Sequence, residues 1–197
     1  VDYLGEAGWP SKGWPNGLFD ICMFEKPRAA YHRAMWNPEP MVRIAVKDPF
    51  ADIDHGRDLW QWPSIVDHWN FDGKFNGLVI EVLTTTNCEE VELYRNDKLM
   101  GRERAANYTN NTIVWNIPYT PGTLLAKGYN QGKEVAKWEI KTAGVPVSLK
   151  AEADRMEIAA DGQDLSHISL TLVDKNGVKV QTDNRRISVK VSGEGRL

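Results

Sequence analysis

Two cysteines in 197 residues are too few for a disulfide framework. Cys22 and Cys88 also lack the close spacings of a metal site. They are expected as buried free thiols, with one disulfide as the alternative. No stretch of about eighteen apolar residues exists, which excludes a membrane-spanning helix. Charge of one sign is lacking too: 24 Lys and Arg stand against 27 Asp and Glu, leaving a net charge of −3. With no basic cluster interleaved with aromatics, neither nucleic acid nor an anionic membrane is an expected partner. The opening Val1-Asp2-Tyr3-Leu4-Gly5-Glu6 has neither the basic nor the apolar region of a secretory leader, and no initiating Met. The chain is read as a processed product or a piece of something longer.

Tryptophan, by contrast, is abundant and unevenly placed. Six of the eight (Trp9, Trp14, Trp36, Trp60, Trp62, Trp69) lie in the first seventy residues, and only Trp115 and Trp138 follow. Such a shift in composition places the first third in a different structural unit from the rest. Residues 1–26 carry Gly-Trp-Pro clusters that belong to turns and loops. Pro27 to Trp36 then reads as a short helix, with Pro at its start and Ala30, Ala34, Tyr31 and Met35 forming an apolar face at i,i+4 spacing. Asn37-Pro38-Glu39-Pro40 stops it. A helix of this length is unstable alone and must pack on something.

From Gly77 the pattern turns to short strands. Leu78–Leu83 is apolar and β-branched, and Val91–Tyr94 alternates. Asn96-Asp97 is a tight turn leading back through Lys98–Gly101. Thr112–Ile117 is a further strand. Thr123–Tyr129, a turn at Asn130-Gln131-Gly132, and Glu134–Thr142 form another hairpin. Six or seven strands over about seventy residues indicate an immunoglobulin-like sandwich. After a linker at Gly144-Val145-Pro146, strands are expected at Val147–Ala151, Met156–Ala159, Ile168–Val173, Val178–Gln181 and Ile187–Val191, with a turn at Lys175-Asn176-Gly177. Four or five strands do not close a sandwich, so this module is read as cut short. The fold class is mainly β: immunoglobulin-like sandwich modules preceded by a loop and helix.

The N-terminal residues Asp2-Tyr3-Leu4-Gly5-Glu6, Gly8-Trp9-Pro10, Gly17-Leu18-Phe19-Asp20, Phe24-Glu25-Lys26-Pro27 and Tyr31…Met35-Trp36 resemble the end of the (β/α)₈ barrel in glycoside hydrolase family 2. The Val91–Gly101 hairpin resembles one in the sandwich that follows that barrel. The stretch from Ala159-Ala160-Asp161-Gly162 to Ile168–Asp174 is similar to the invasin-like immunoglobulin modules that end such enzymes. The resemblance implies three parts: residues 1–50 as the end of a barrel, 51–144 as a sandwich, and 145–197 as a second, incomplete module. It implies a β-galactosidase-like retaining enzyme as the parent, with a β-galactoside or oligosaccharide as partner and a periplasmic or secreted location in a bacterium. No cofactor is implied, and oligomeric state is left open.

Retaining glycosidases need two carboxyl groups about 5 Å apart, one protonating the leaving oxygen and one attacking the anomeric carbon. In the family these are glutamates on earlier barrel strands, and no Glu here matches either motif. No catalytic residue is therefore assigned, and the chain's own role is read as structural bracing. Active-site groups sit at the C-terminal ends of barrel strands, so Asp2 and Glu6 become candidate sugar-binding residues, with loop-holding carboxylates as the plainer reading. Trp9 and Trp14 could stack on a pyranose face or pack on the barrel rim. Trp60, Trp62 and Trp69 read as interface or core residues. His32, His55, His68 and His167 lack ligand spacing, and Asp52, Asp54 and Asp58 lack the rest of a Ca²⁺ loop, so no metal is expected. The alternatives to a bracing role are a non-catalytic carbohydrate-binding module and an adhesion-type spacer.

Overall fold

The computed structural model describes residues 17–50 and 64–193, together with the backbone of Tyr3–Leu4 and Gly13–Trp14. The latter two pairs are short strands, β1 and β2, in antiparallel register with Tyr3 opposite Trp14. The chain divides into two compact units, Val1–Thr142 and Ala143–Leu197.

The first unit is an antiparallel β-sandwich. One sheet has the order β4-β3-β5-β8, from Ile65–Val66, Val42–Lys47, Val79–Thr86 and Thr112–Pro118. The other has the order β10-β9-β6-β7, from Lys133–Lys141, Thr123–Asn130, Glu90–Arg95 and Lys98–Arg104. Alternation decides which side chains meet. In β8, Ile113, Trp115 and Ile117 point inward while Val114 and Asn116 stay outside. They lie opposite Thr84, Val82 and Ile80 of β5. Val42, Ile44 and Val46 of β3 extend that layer. Val91, Leu93, Leu124, Ala126 and Ile140 face it from the second sheet. The inward polar groups are paired, Trp115 donating its indole N–H to the Thr84 hydroxyl at 2.9 Å.

The turns are chemically encoded. Asn96 and Asp97 both adopt positive φ (47° and 63°), as do Gln131 and Gly132 (50° and 75°). That is the mirror-image turn whose twist matches the flanking strands. β10 is an edge strand, guarded by Lys133, Lys137 and Lys141 and by a register irregularity between Glu134 and Ala136.

Helix α1 spans Ala29–Trp36 and packs on β5. The expected start at Pro27 is displaced by two residues, which form a turn through Ala29 N–H to Lys26 C=O and Ala30 N–H to Pro27 C=O. Its buried face consists of Ala29, Ala30 and Ala34. The larger Met35 and Trp36 are 51% and 75% exposed, so small residues let the helix lie close to the sheet.

The second unit is a hairpin of β11 (Pro146–Ala153) and β12 (Ile168–Asp174). Val147, Leu149 and Ile168 of this hairpin remain exposed. The stretches Met156–Ala159, Val178–Gln181 and Ile187–Val191, expected as strands, are not strands, apart from one bridge between Val173 and Lys179. A strand pattern becomes a strand only beside an edge that takes up its backbone hydrogen bonds. Asp174 organises the end of β12: its buried carboxylate accepts N–H bonds from Gly144, Asn176 and Val178 at 2.8–2.9 Å. Those bonds, led by that from Gly144, hold it below the usual carboxylate range.

Candidate functional site

Of the four candidate sugar-binding residues, Asp2, Glu6 and Trp9 lie outside the described residues, and only the backbone of Trp14 in β2 is described. Trp60, Trp62, His55, Asp52, Asp54 and Asp58 also lie outside them. Trp69 is fully buried as a core residue of the sandwich. Both cysteines are free; Cys88 is buried, but Cys22 is exposed rather than buried. The reason is local: Cys22 sits in a turn where the Asp20 carboxylate takes the N–H groups of Cys22 and Phe24. Among the described residues no group of three or more His, Cys, Asp or Glu could hold a metal.

The structure does bring together three groups of side chains. The first locks one end of the sandwich. Trp69 donates its indole N–H to Thr120 C=O at 2.8 Å and stacks edge-on against Tyr119, 4.9 Å between ring centres. The Tyr119 hydroxyl accepts from Phe71 N–H and donates to Phe71 C=O, both at 3.1 Å. His68 Nδ1 accepts from Asn70 N–H. Burial pushes this imidazole below its usual range, against the pull of Asp67 and Asp48.

The second group covers the outer face of the second sheet, where cross-strand partners align Arg104 with Glu90 and Arg102 with Glu92. Both Tyr129 and Tyr94 donate hydroxyls to one oxygen of Glu92 at 2.7 Å. Arg102 and Arg104 both bond Glu90. The tyrosine hydroxyls, Tyr129 first, hold Glu92 below the usual carboxylate range, and Arg102 and Arg104 do the same for Glu90. A general acid needs the opposite shift. The ring faces are taken as well: Arg102 lies over Tyr129 at 5.0 Å and Lys127 over Tyr94 at 5.5 Å. This group therefore suits strand pairing better than proton transfer or sugar stacking.

The third group ties the N-terminal segment to the sandwich. Asn87 donates to the Asn37 and Glu39 carbonyls and accepts from Met41 N–H. Glu25 accepts from Arg33 of α1 and from Arg43 of β3, each at 2.6 Å. Beside the Asn87 contacts, a cleft of about 650 Å³ is lined by Thr86, Cys88, Glu89, Arg104, Tyr108 and Asn111 among others. Sequence reasoning gave none of Asn87, Glu25, Arg43 or Tyr119 a role of its own; Arg33 lies eight residues from Glu25, but the other partners lie 18 to 50 residues away.

Comparison with known proteins gives this arrangement a context. Residues 77–136 match a domain of unknown function (DUF4982), and residues 149–197 match glycoside hydrolase family 2 C-terminal domain 5. A β-galactosidase of Bacteroides ovatus is 27% identical over 199 aligned positions, spanning 98% of this chain and 20% of the relative. A β-galactosidase of Thermoanaerobacter pseudethanolicus is 32% identical over 59% of this chain and 18% of its own length. The crystal structure of a glycosyl hydrolase family 2 member from Bacteroides cellulosilyticus superposes with a TM-score of 0.80 at 35% identity, over 86% of this chain and 22% of that one. A β-glycosidase from Bacteroides vulgatus gives 0.74 at 29% identity, over 90% and 20%. The chain thus spans about a fifth of the length of the relatives it matches. In sequence and in fold, the chain corresponds to the C-terminal region of the family 2 glycoside hydrolases.

Proposed function

We propose that the chain is the C-terminal accessory region of a retaining, β-galactosidase-like glycoside hydrolase, in which the residues before β3 end the catalytic barrel and the sandwich, which takes in Val42–Lys47 as β3, braces that end. In this reading the parent acts on terminal β-galactosides outside the bacterial cytoplasm, in the periplasm or medium. The observation that carries it is the alignment of 98% of the chain with a fifth of a β-galactosidase. The bracing role draws support from Asn87 and Glu25, which fasten the segment around α1 to β3 and β5. Asp2, Glu6, Trp9 and Trp14 are proposed to border the sugar pocket.

The chain alone is expected not to cleave a chromogenic β-galactoside. Exchanged for the corresponding fifth of the Bacteroides ovatus β-galactosidase, it should give a folded, active chimera. Turnover by the chain alone, or a folded chimera without activity, would refute the reading. Glycan binding by the chain alone that vanishes on Trp9→Ala or Trp14→Ala would favour a carbohydrate-binding module instead.

A further inference from the structure

The loop before α1 is fastened to the sandwich without the usual apolar anchor. Ile21, Met23 and Phe24 are 50%, 60% and 49% exposed and Leu18 and Phe19 are half-buried, so none of the loop's large apolar side chains is fully buried. Helix α1 has eight residues and contributes three alanines to the contact, and a helix so short has no stability of its own. Its C-terminal end is held by hydrogen bonds: Asn111 to Ala34 C=O at 3.4 Å, and Asn87 to Asn37 and Glu39. At the other end the tie is ionic. Glu25 places one oxygen on Arg33 and the other on Arg43. Arg43 is itself buried on β3, lies 5.0 Å over the Trp138 ring, and approaches Asp67 at 3.8 Å. Its Nε has no hydrogen-bond partner, so the guanidinium is held short of full satisfaction.

From this geometry we infer that Arg43 is a positioning residue: acting through Glu25, it fixes residues 17–36 on the sandwich by a mostly buried ionic joint. A carboxylate shared between an exposed and a buried arginine retains strong attraction to the buried one. The exposed half, Glu25–Arg33, lies within the segment and is open to screening, whereas the Glu25–Arg43 bond that reaches the sandwich is screened much less. Loss of Glu25 or Arg43, rather than salt, therefore loosens the segment without unfolding the sandwich. If the segment ends a barrel, the joint passes the sandwich's position to that barrel. That consequence rests on the reading above, whereas the joint stands on contacts within this chain.

The test is amide hydrogen exchange read by mass spectrometry on the 197-residue chain, comparing wild type, Glu25→Gln, Arg43→Met and the double variant at about 50 mM and about 1 M NaCl. Glu25→Gln should speed exchange over residues 20–35 by about tenfold or more, leaving β5, β8 and β9 unchanged. The double variant should match the single variants, and at about 1 M NaCl the wild-type segment should stay better protected than that of Glu25→Gln. Should Arg43→Met perturb the whole sandwich, Glu25→Gln and the salt comparison decide alone. Unchanged exchange in Glu25→Gln, or a wild-type segment that exchanges as fast as that of Glu25→Gln at about 1 M NaCl, would overturn the inference. These outcomes are independent of any glycosidase activity, so failure of the joint and failure of the functional reading are told apart.

Discussion

Tyr119→Phe removes a single oxygen from a fully buried ring and leaves the packing against Trp69 and Phe71 in place. That oxygen serves both backbone groups of Phe71, so the substitution orphans an N–H and a C=O together. An unpaired buried backbone group costs about 1–3 kcal/mol. Phe71 is only partly buried, and water can reach part of it, so each of the two groups costs about 1–1.5 kcal/mol, near the low end of that range, and the expected loss is about 2–3 kcal/mol. All eight tryptophans precede residue 142, so fluorescence during urea unfolding reports the first unit alone. With a slope of roughly 2 kcal/mol/M, the midpoint should fall by about 1–1.5 M at unchanged slope. Tyr94→Phe is the control: Glu92 keeps Tyr129 and Arg102 as partners, and the midpoint should move by less than about 0.5 M. A Tyr119→Phe midpoint within about 0.3 M of wild type would refute the assignment of Tyr119 as the fastener of the 69–71 loop.

Gly128→Ala would place a Cβ 2.6 Å from the Cys88 sulfur; the same change in a Cys88→Ala background should cost markedly less, as a urea series on the four proteins would show. Asn87→Ala removes three hydrogen bonds to residues 37–41 and should lower stability by about 2 kcal/mol, with faster proteolysis before β3 as the direct readout. His68 gives a pH signature. Its folded value lies below the ordinary 6.5, so well above that pH both states are neutral and stability is complete. As pH falls through and below 6.5, the unfolded chain takes the proton more readily and stability is lost. His68→Gln should flatten that part of the midpoint-versus-pH curve, and an unaltered curve would exclude His68 as its source.

Local chemistry in the sequence found the hairpins. Asn96-Asp97 and Gln131-Gly132 tolerate positive φ, and the flanking alternation sets which face is buried, so β6–β7 and β9–β10 were legible. The apolar run Met41–Val46 could not be placed from its own residues, because its identity as β3 depends on pairing Ile44 with Thr84, forty residues on. Trp69 read as a core or interface residue, but its partners Tyr119, Thr120 and Thr142 are supplied by distant loops. Of the strands expected after residue 153, Ile168–Val173 formed as β12, whereas Met156–Ala159, Val178–Gln181 and Ile187–Val191 failed for the same reason in reverse: alternation marks a face, and only a neighbouring edge makes a strand. The candidate sugar-binding residues rest on resemblance alone, since no pairing or periodicity in the sequence points to them.

The distribution of turns has a consequence for how the sandwich assembles. Its second sheet consists of two hairpins, each closed by a two-residue turn that fixes its own register, and such units form within microseconds. The first sheet has no comparable shortcut: β3 reaches β5, and β5 reaches β8, only by closing loops of about thirty residues. Nucleation should therefore belong to the β6–β7 and β9–β10 hairpins, with β3, and the α1 segment that precedes it, docking last. The part of the chain proposed to meet a barrel is then also the last part of the sandwich to become ordered.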